Sequence, residues 1–253
     1  MPDCIDCKWR IDELCTARPT DWKDVPINHV RACVVAITEQ YKNLIQASTS
    51  VLEIGCGTWS PIREHCLQIG AHWEGIDIVA LHDSKPTIAT RIESVENLSF
   101  PNQTFDFVIG NQSLEHWNEN GTRLAVGLWQ CFRVCKVGGQ VIMNVPIHNH
   151  GASIFVKGDT ATIKAAFAPY TSTIALETWR KHPHPLSVVK QLPNRFTDNA
   201  LSIYILDIRA TRADEIGTQP TSYRFKHRLW RELIDHRLDY LLYKIARRIG
   251  LLS

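Results

Sequence analysis

Residues 51–61 (VLEIGCGTWSP) bring a carboxylate and two glycines to the end of a short apolar run. The backbone can approach a ligand closely at Gly55 and Gly57, because glycine has no side chain. A dinucleotide site would carry a third glycine and would place a pyrophosphate at the start of the next helix. Ser60 stands in place of that glycine, and Glu53 would repel a pyrophosphate by roughly a few kcal/mol at an effective dielectric of about 20. The turn therefore favours a positively charged nucleoside, one with an amino group and a sulfonium.

Strands and helices alternate along most of the chain, as the spacing of apolar residues indicates. Helices are predicted at residues 28–46, 63–69 and 122–134, and strands at residues 51–55, 72–79, 89–94, 105–111, 138–146, 172–180 and 201–211. This order predicts an α/β fold with a Rossmann-like, mostly parallel seven-stranded sheet and helices on both faces. A Pro- and His-rich connection replaces a crossover helix before the last strand, which predicts an antiparallel edge strand. Ligands of such sheets bind at the carboxyl ends of the strands, where Gly55 and Gly57 lie.

Four segments in the same order resemble motifs of the class I S-adenosylmethionine-dependent methyltransferases, of the type 11-like group. They are VLEIGCG, GIDI, ESVENLSFPNQTFDFVIGNQSLEHW and CFRVCKVGGQVIMNVP. The resemblance covers residues 51–146, and extends more loosely to residue 211. It implies a methyltransferase with S-adenosylmethionine as its cofactor.

The resemblance also implies which residues bind that cofactor. They are Glu53, Gly55, Cys56, Gly57, Asp77, Ile78, Ser94, Val95, Asn111 and His116. Asp77 stands where the family's acidic residue binds both ribose hydroxyls, and one carboxylate can accept hydrogen bonds from two neighbouring O–H groups.

Two positions depart from the family pattern. Members often carry glycine where Trp59 stands, and many carry aspartate at the position of Ser94, in contact with the adenine amino group. Ser94 can accept the same hydrogen bond without a charge, and Glu93 or Glu96 could serve instead. Trp59 is interpreted either as an aromatic residue that covers the core or as a wall of the methionine pocket beside the sulfonium.

Methyl transfer is an in-line displacement, so the protein supplies mainly proximity and alignment. A hydroxyl acceptor would also need a general base. His148 and His150 follow the strand predicted at residues 138–146, on the expected acceptor side, and are the predicted catalytic residues. His182 and His184 are further candidates, whereas His116 is interpreted as a helix cap or a cofactor contact.

Composition and charge exclude several classes of protein. The 253 residues are 44% hydrophobic and 21% charged with a formal net charge of +2, so neither extensive disorder nor a nucleic-acid partner is expected. The polar start MPDCIDCKWR and the lack of a long apolar run predict neither a signal peptide nor a membrane span. Eight scattered cysteines favour a reduced, cytoplasmic protein.

The chain is predicted to have three parts, namely a Cys-containing extension at residues 1–27, the methyltransferase domain at 28–211 and a basic amphipathic helix at 212–253. In the extension, Cys4, Cys7 and Cys15, with His29 or Cys33, could bind zinc, or they could be free thiols in a lid; we assign no metal site.

Residues 223–248 hold eight Lys or Arg against three Asp or Glu, with apolar residues at helical spacing. The segment 223–249 is interpreted either as a contact with the inner face of a membrane or as a helix packed on the domain or on a partner subunit.

The predicted acceptor is a small molecule, with O-methylation of a sugar or a lipid-linked glycan precursor preferred. The alternatives are a tRNA or protein methyltransferase, or a protein that binds S-adenosylmethionine without catalysis. The sequence leaves the oligomeric state open.

Overall fold

The computed structural model describes residues 9–10, 29–82, 84–147, 152, 154–155, 158, 160–181, 187–191 and 204–220. Several predicted features lie outside these residues, namely Cys4, Cys7, Cys15, His148, His150, His182, His184 and the segment 223–249. The division into three parts therefore stays a prediction. No helix in the described ranges is long and apolar enough to cross a bilayer.

The described residues form eleven strands and four α-helices. The strands are β1 Trp9–Arg10, β2 Ser50–Ile54, β3 His72–Asp77, β4 Leu81–His82, β5 Lys85–Pro86, β6 Arg91–Ile92, β7 Phe105–Asn111, β8 Cys135–Ile147, β9 Thr171–Lys181, β10 Ser187–Gln191 and β11 Tyr204–Arg212. The helices are α1 His29–Tyr41, α2 Pro61–Ile69, α3 Leu124–Val134 and α4 Thr160–Phe167, and short 3₁₀ turns cover Lys42–Leu44, Val95–Asn97, Leu114–His116 and Ala168–Tyr170.

Nine of the strands form one sheet in the order β1-β10-β9-β11-β8-β7-β2-β3-β6. The pairs β6–β3, β3–β2, β2–β7 and β7–β8 are parallel, whereas β11 is antiparallel to both β8 and β9. This arrangement confirms the predicted Rossmann-like, mostly parallel sheet with an antiparallel strand. β11 lies between β8 and β9, and the short strands β10 and β1 extend the sheet beyond β9.

Successive side chains of the central strands face opposite sides of the sheet, and each side is covered by helices. Leu52, Val108 and Val141 are in register and belong to one buried cluster together with residues of α3 and α4. Ile109 and Ile142 point to the other side, into a cluster with residues of α1 and α2. The predicted helices on both faces are thereby confirmed.

Two predicted elements differ in extent from the observed ones, and one observed hairpin was not predicted. The helix predicted at residues 63–69 begins two residues earlier, because Ser60 caps it and Pro61 suits its first position. The strand predicted at residues 89–94 is reduced to Arg91–Ile92, at the exposed edge of the sheet. The hairpin of β4 and β5 was not predicted, because each of its strands has only two residues.

The order of the strands places a switch point between β2 and β7. From β2 the chain moves outward to β3 and β6, and then returns to β7 on the opposite side of β2. Loops that leave neighbouring strands in opposite directions open a crevice at their carboxyl ends. The glycine turn after β2 lies at this crevice.

Candidate functional site

A cavity of about 500 Å³ opens at the carboxyl ends of β2, β3 and β7. Its size falls in the range of about 300–1,000 Å³ that is typical of small-molecule sites. Five of the predicted cofactor-binding residues line it, namely Gly55, Asp77, Ile78, Val95 and His116. The cavity therefore joins residues from segments far apart in the sequence.

The other five predicted residues are not among the described residues that line the cavity. They are Glu53, Cys56, Gly57, Ser94 and Asn111. Sequence reasoning, in turn, did not select ten lining residues, namely Ile54, Ile76, Val79, Leu81, His82, Gln112, Ser113, Trp117, Asn120 and Thr122. Half-buried Trp59 is also absent from the described lining, so both interpretations of this residue stay open.

The glycine turn after β2 is shaped by backbone geometry. Gly55 has a φ of +68°, in the left-handed region that favours glycine, and its N–H donates to the carbonyl of Ile76 at 2.8 Å. A Cβ atom at Gly55 would lie 2.6 Å from the Cβ of Ser113. A larger residue here would therefore have to displace the backbone of the loop after β7, so the narrow approach requires glycine.

Asp77 ends β3 and lines the cavity, although only 4% of the residue is exposed. Its Oδ2 accepts hydrogen bonds from the N–H of Gly57 at 2.9 Å and from Nε2 of His82 at 3.0 Å. Its Oδ1 accepts from the N–H of Val79 at 3.2 Å. A carboxylate has about four acceptor positions, so these three donors leave about one of them, and a ribose that donates two hydroxyls would have to displace one donor.

Glu53 lies one strand away from Asp77, but its environment differs. It is 2% exposed, and its carboxylate accepts hydrogen bonds from Ser60 Oγ at 2.5 Å, Trp73 Nε1 at 3.0 Å and Asn111 Nδ2 at 3.3 Å. Burial raises the pKa of Glu53 to about 7, although the three hydrogen bonds act in the opposite direction. The carboxylate thus connects three elements beside the crevice through these hydrogen bonds.

Asn111 and Gln112 continue these hydrogen bonds toward the cavity. Asn144 Nδ2 donates to Asn111 Oδ1 at 2.5 Å, and Gln112 Nε2 donates to Asn144 Oδ1 at 2.8 Å. Gln112 has a φ of +54°, which costs about 1–3 kcal/mol for a residue other than glycine. Its N–H also donates to the carbonyl of Asn144 at 3.0 Å, so Asn144 holds both ends of the residue.

Ser94 begins the 3₁₀ turn Val95–Asn97, and its Oγ accepts from the N–H of Glu96 at 3.2 Å. The same Oγ lies 3.2 Å from Oγ1 of Thr122, which lines the cavity. Of the two glutamates considered as substitutes, Glu93 lines the cavity, whereas Glu96 accepts from Nε of Arg123 at 3.0 Å. Glu93 is therefore the better placed of the two.

Residues 52–143 match the model of a family described as a methyltransferase domain. This stretch begins in β2, ends in β8 and contains every described residue that lines the cavity. Residues 52–143 are therefore described as a methyltransferase domain. No curated protein matches the sequence.

Two solved structures share the fold of this methyltransferase domain. Phosphoethanolamine N-methyltransferase 2 of Haemonchus contortus, in complex with S-adenosylmethionine, is 14% identical with a TM-score of 0.50, over 72% of this chain and 53% of that one. An S-adenosylmethionine-dependent methyltransferase from Archaeoglobus fulgidus is 17% identical with a TM-score of 0.50, over 72% of this chain and 94% of that one. The chain therefore spans about half the length of the Haemonchus enzyme. S-adenosylmethionine, the cofactor that the resemblance implies for this chain, is bound to the Haemonchus enzyme and is named in the description of the Archaeoglobus one.

The structure fits that cofactor on three observations. The cavity is large enough, buried Asp77 presents a carboxylate to it, and the backbone at Gly55 lies so close to Ser113 in the cavity wall that a Cβ atom would clash. In contrast, no group of three or more His, Cys, Asp or Glu within the described ranges could hold a metal ion.

The 3₁₀ turn after β7 carries two ionisable residues, of which one reaches the methyltransferase cavity. His116 lines it, and its Nδ1 lies 2.8 Å from Oε2 of Glu119. Neighbouring Glu115 is 1% exposed, and its Oε2 has no hydrogen-bond partner among the described residues. Burial raises the pKa of Glu115 to about 8. No pattern in the sequence indicates this shift, because the burial of Glu115 depends on tertiary packing.

We expect His82→Ala to strengthen the binding of S-adenosylhomocysteine by about 2- to 10-fold, because a ribose hydroxyl would no longer have to displace the imidazole from Asp77. Isothermal titration calorimetry measures this change. His72→Ala, at the exposed start of β3, is the matched control. Weaker binding by the His82 variant would instead show that His82 holds the ligand.

We expect Glu115→Gln to alter the pH dependence of stability. The folded protein keeps the Glu115 proton up to about pH 8, whereas the unfolded chain loses it near the ordinary pKa of 4.5. The folded state therefore binds more protons in this window, and its stability falls as the pH rises. Urea unfolding should show the wild type losing about 3 kcal/mol relative to the variant between about pH 5 and about pH 8. Exposed Glu64→Gln is the control, and parallel pH profiles for Glu115→Gln and the wild type would contradict the assignment.

Proposed function

We propose that this protein is an S-adenosylmethionine-dependent methyltransferase that acts on a small-molecule acceptor. The observation that carries the proposal is the cavity of about 500 Å³ at the switch point, which has buried Asp77 at one end and the turn at Gly55 at the other. A carboxylate and a close-approaching backbone are what a ribose and a methionine chain require of such a cavity.

The lining residues support one orientation of the cofactor. In this proposal Asp77 binds the ribose hydroxyls, and Glu93, Val95 and Thr122 surround the adenine. Gly55 and Gln112 lie at the ends of β2 and β7, beside the methionine chain. Since β2 and β7 are neighbouring strands and β8 follows β7, the acceptor would approach over the ends of β7 and β8.

The cofactor supplies a methyl group that its sulfonium already activates, so this chain has to bind, orient and exclude water. The low exposure of Ile54, Val95 and Trp117 provides apolar walls for the cavity. We propose that His148 or His150, just past the end of β8, removes a proton from a hydroxyl acceptor.

A sugar or a lipid-linked glycan precursor is the proposed acceptor, and O-methylation the proposed reaction. The support is the basic amphipathic sequence at residues 223–249, which would bring a cytoplasmic enzyme to the inner face of a membrane and to lipid-linked substrates.

Asp77→Asn tests the cofactor site. The amide keeps the size of the side chain but removes the charge and one acceptor, so we expect the affinity for S-adenosylhomocysteine to fall by about 10- to 100-fold. Calorimetry with the wild type, Asp77→Asn and the exposed control Asp214→Asn gives the comparison. Unchanged affinity in Asp77→Asn, or no binding to the wild type, would contradict the proposed function.

His148→Ala and His150→Ala test the proposed base. We expect one of them to reduce the formation of S-adenosylhomocysteine on hydroxyl acceptors by about 10²- to 10⁴-fold, because general-base catalysis contributes about that much. Both variants should still bind S-adenosylhomocysteine like the wild type. Wild-type turnover by both variants would refute the assignment.

A further inference from the structure

A row of side-chain hydrogen bonds connects Glu53 with Gln112 across the ends of three strands. Asn111 Nδ2 donates to Glu53 Oε1 at 3.3 Å, Asn144 Nδ2 donates to Asn111 Oδ1 at 2.5 Å, and Gln112 Nε2 donates to Asn144 Oδ1 at 2.8 Å. Every bond points the same way, toward Glu53. The row begins at Glu53 in β2, which is not among the described lining residues, and ends at Gln112, which lines the cavity.

The direction of the row follows from the donors at Glu53. The Nε1 of Trp73 can only donate, and it donates to Glu53 Oε2 at 3.0 Å. Ser60 Oγ already accepts from the N–H groups of Ile62 and Arg63, so its own hydrogen goes to Oε2. Oε2 therefore accepts twice, and the remaining oxygen of the ionised carboxylate can only accept from Asn111.

An amide group passes this direction on, because it has one accepting oxygen and one donating NH₂ group. When the NH₂ group of Asn111 faces Glu53, its oxygen faces the NH₂ group of Asn144, whose oxygen then faces Gln112. The ionised carboxylate of Glu53 thus determines which end of each side-chain amide is the oxygen and which is the nitrogen, an assignment that is otherwise ambiguous. The NH₂ group of Gln112 is turned inward, which leaves Oε1 free of hydrogen bonds to described residues.

We propose that Glu53 is a positioning residue, which acts through Asn111 and Asn144 to present the carbonyl oxygen of Gln112 to the methionine end of the cavity, where this oxygen favours the sulfonium of S-adenosylmethionine over the neutral thioether of S-adenosylhomocysteine. The inference rests on the proposed function. It gives a physical role to the strained backbone of Gln112. Asn144 accepts hydrogen bonds from both the backbone N–H and the side-chain NH₂ group of Gln112, and these bonds hold its positive φ.

If the row of hydrogen bonds were reversed, Gln112 would present its NH₂ group to the cavity instead of its oxygen. A glutamine at position 53 would accept from Trp73 and Ser60 with its oxygen and donate to Asn111 with its NH₂ group. Asn111, Asn144 and Gln112 would then turn over, and the NH₂ group of Gln112 would face the ligand. The partial positive charge of this NH₂ group would repel the sulfonium of S-adenosylmethionine. It would not repel the thioether of S-adenosylhomocysteine, which is uncharged.

The variants Glu53→Gln, Gln112→Glu and the double variant test this row. In Gln112→Glu alone, a carboxylate stands at each end, so two amide oxygens must face each other and the protein should unfold at a lower urea concentration. In the double variant every donor again meets an acceptor, and the midpoint should recover. Exposed Gln68→Glu controls for added charge. At about pH 8.5 the Glu53 carboxyl, with its pKa of about 7, is ionised.

The binding measurement compares the two ligands in the same variants. We expect Glu53→Gln to lower the ratio of the affinities for S-adenosylmethionine and S-adenosylhomocysteine about tenfold, and the double variant to restore it, because an oxygen faces the cavity again. An equal loss of affinity for both ligands in Glu53→Gln would overturn the proposal. Additive effects of the two substitutions on the unfolding midpoint would overturn it as well.

These outcomes are separable from a failure of the proposed function. If the wild type bound neither ligand, the function would be wrong, while the recovery of the double variant in urea would still report on the row alone. If the wild type bound both ligands with an unchanged ratio in every variant, the function would stand and this inference would fail.

Discussion

One buried carboxylate holds the ligand-binding end of the sheet together. Glu53 accepts hydrogen bonds from Ser60, which begins α2, from Trp73 on β3 and from Asn111 at the end of β7. Three strands and a helix thus meet at a single side chain, at the point where the order of strands reverses. The glycine turn between β2 and α2 keeps its shape because both of its ends are tied to this carboxylate or to its neighbours.

Burying Glu53 costs the desolvation of its carboxylate, and in return the orientation of the amides that follow is fixed. Burial raises the pKa of Glu53 to about 7, so the charged form is held only because several donors surround it. An apolar residue would pack at lower cost, but it would not set the direction of the amides that follow. Buried polar groups that are fully satisfied specify one arrangement, whereas an apolar core tolerates several. A methyltransferase needs such order, since most of its contribution is alignment.

The sequence predicted the parts of the fold that depend on local pattern. The alternating strands and helices and the glycine turn follow from periodicity and spacing. Asp77 is expected at the site from the resemblance, and the structure places it in the cavity. The hairpin of β4 and β5 could not be predicted, because four paired residues carry no periodicity. Gln112 could not be predicted either, since its left-handed backbone depends on Asn144, 32 residues away. Glu53 was selected for its charge, but its donors come from the folded arrangement of three elements.

Glu53 and Asp77 end neighbouring parallel strands, yet their surroundings give them different chemistry. Asp77 accepts from two backbone N–H groups and a histidine, and it also lines the cavity, so it keeps an acceptor position for a ligand. Glu53 instead accepts hydrogen bonds only from donors of the described residues, on the face of the sheet covered by α1 and α2. The residue that faces the ligand cavity, Asp77, and the residue that orients the groups around it, Glu53, therefore lie on neighbouring strands. A substitution at Asp77 changes what the cavity binds, whereas a substitution at Glu53 changes how the groups around the cavity are oriented.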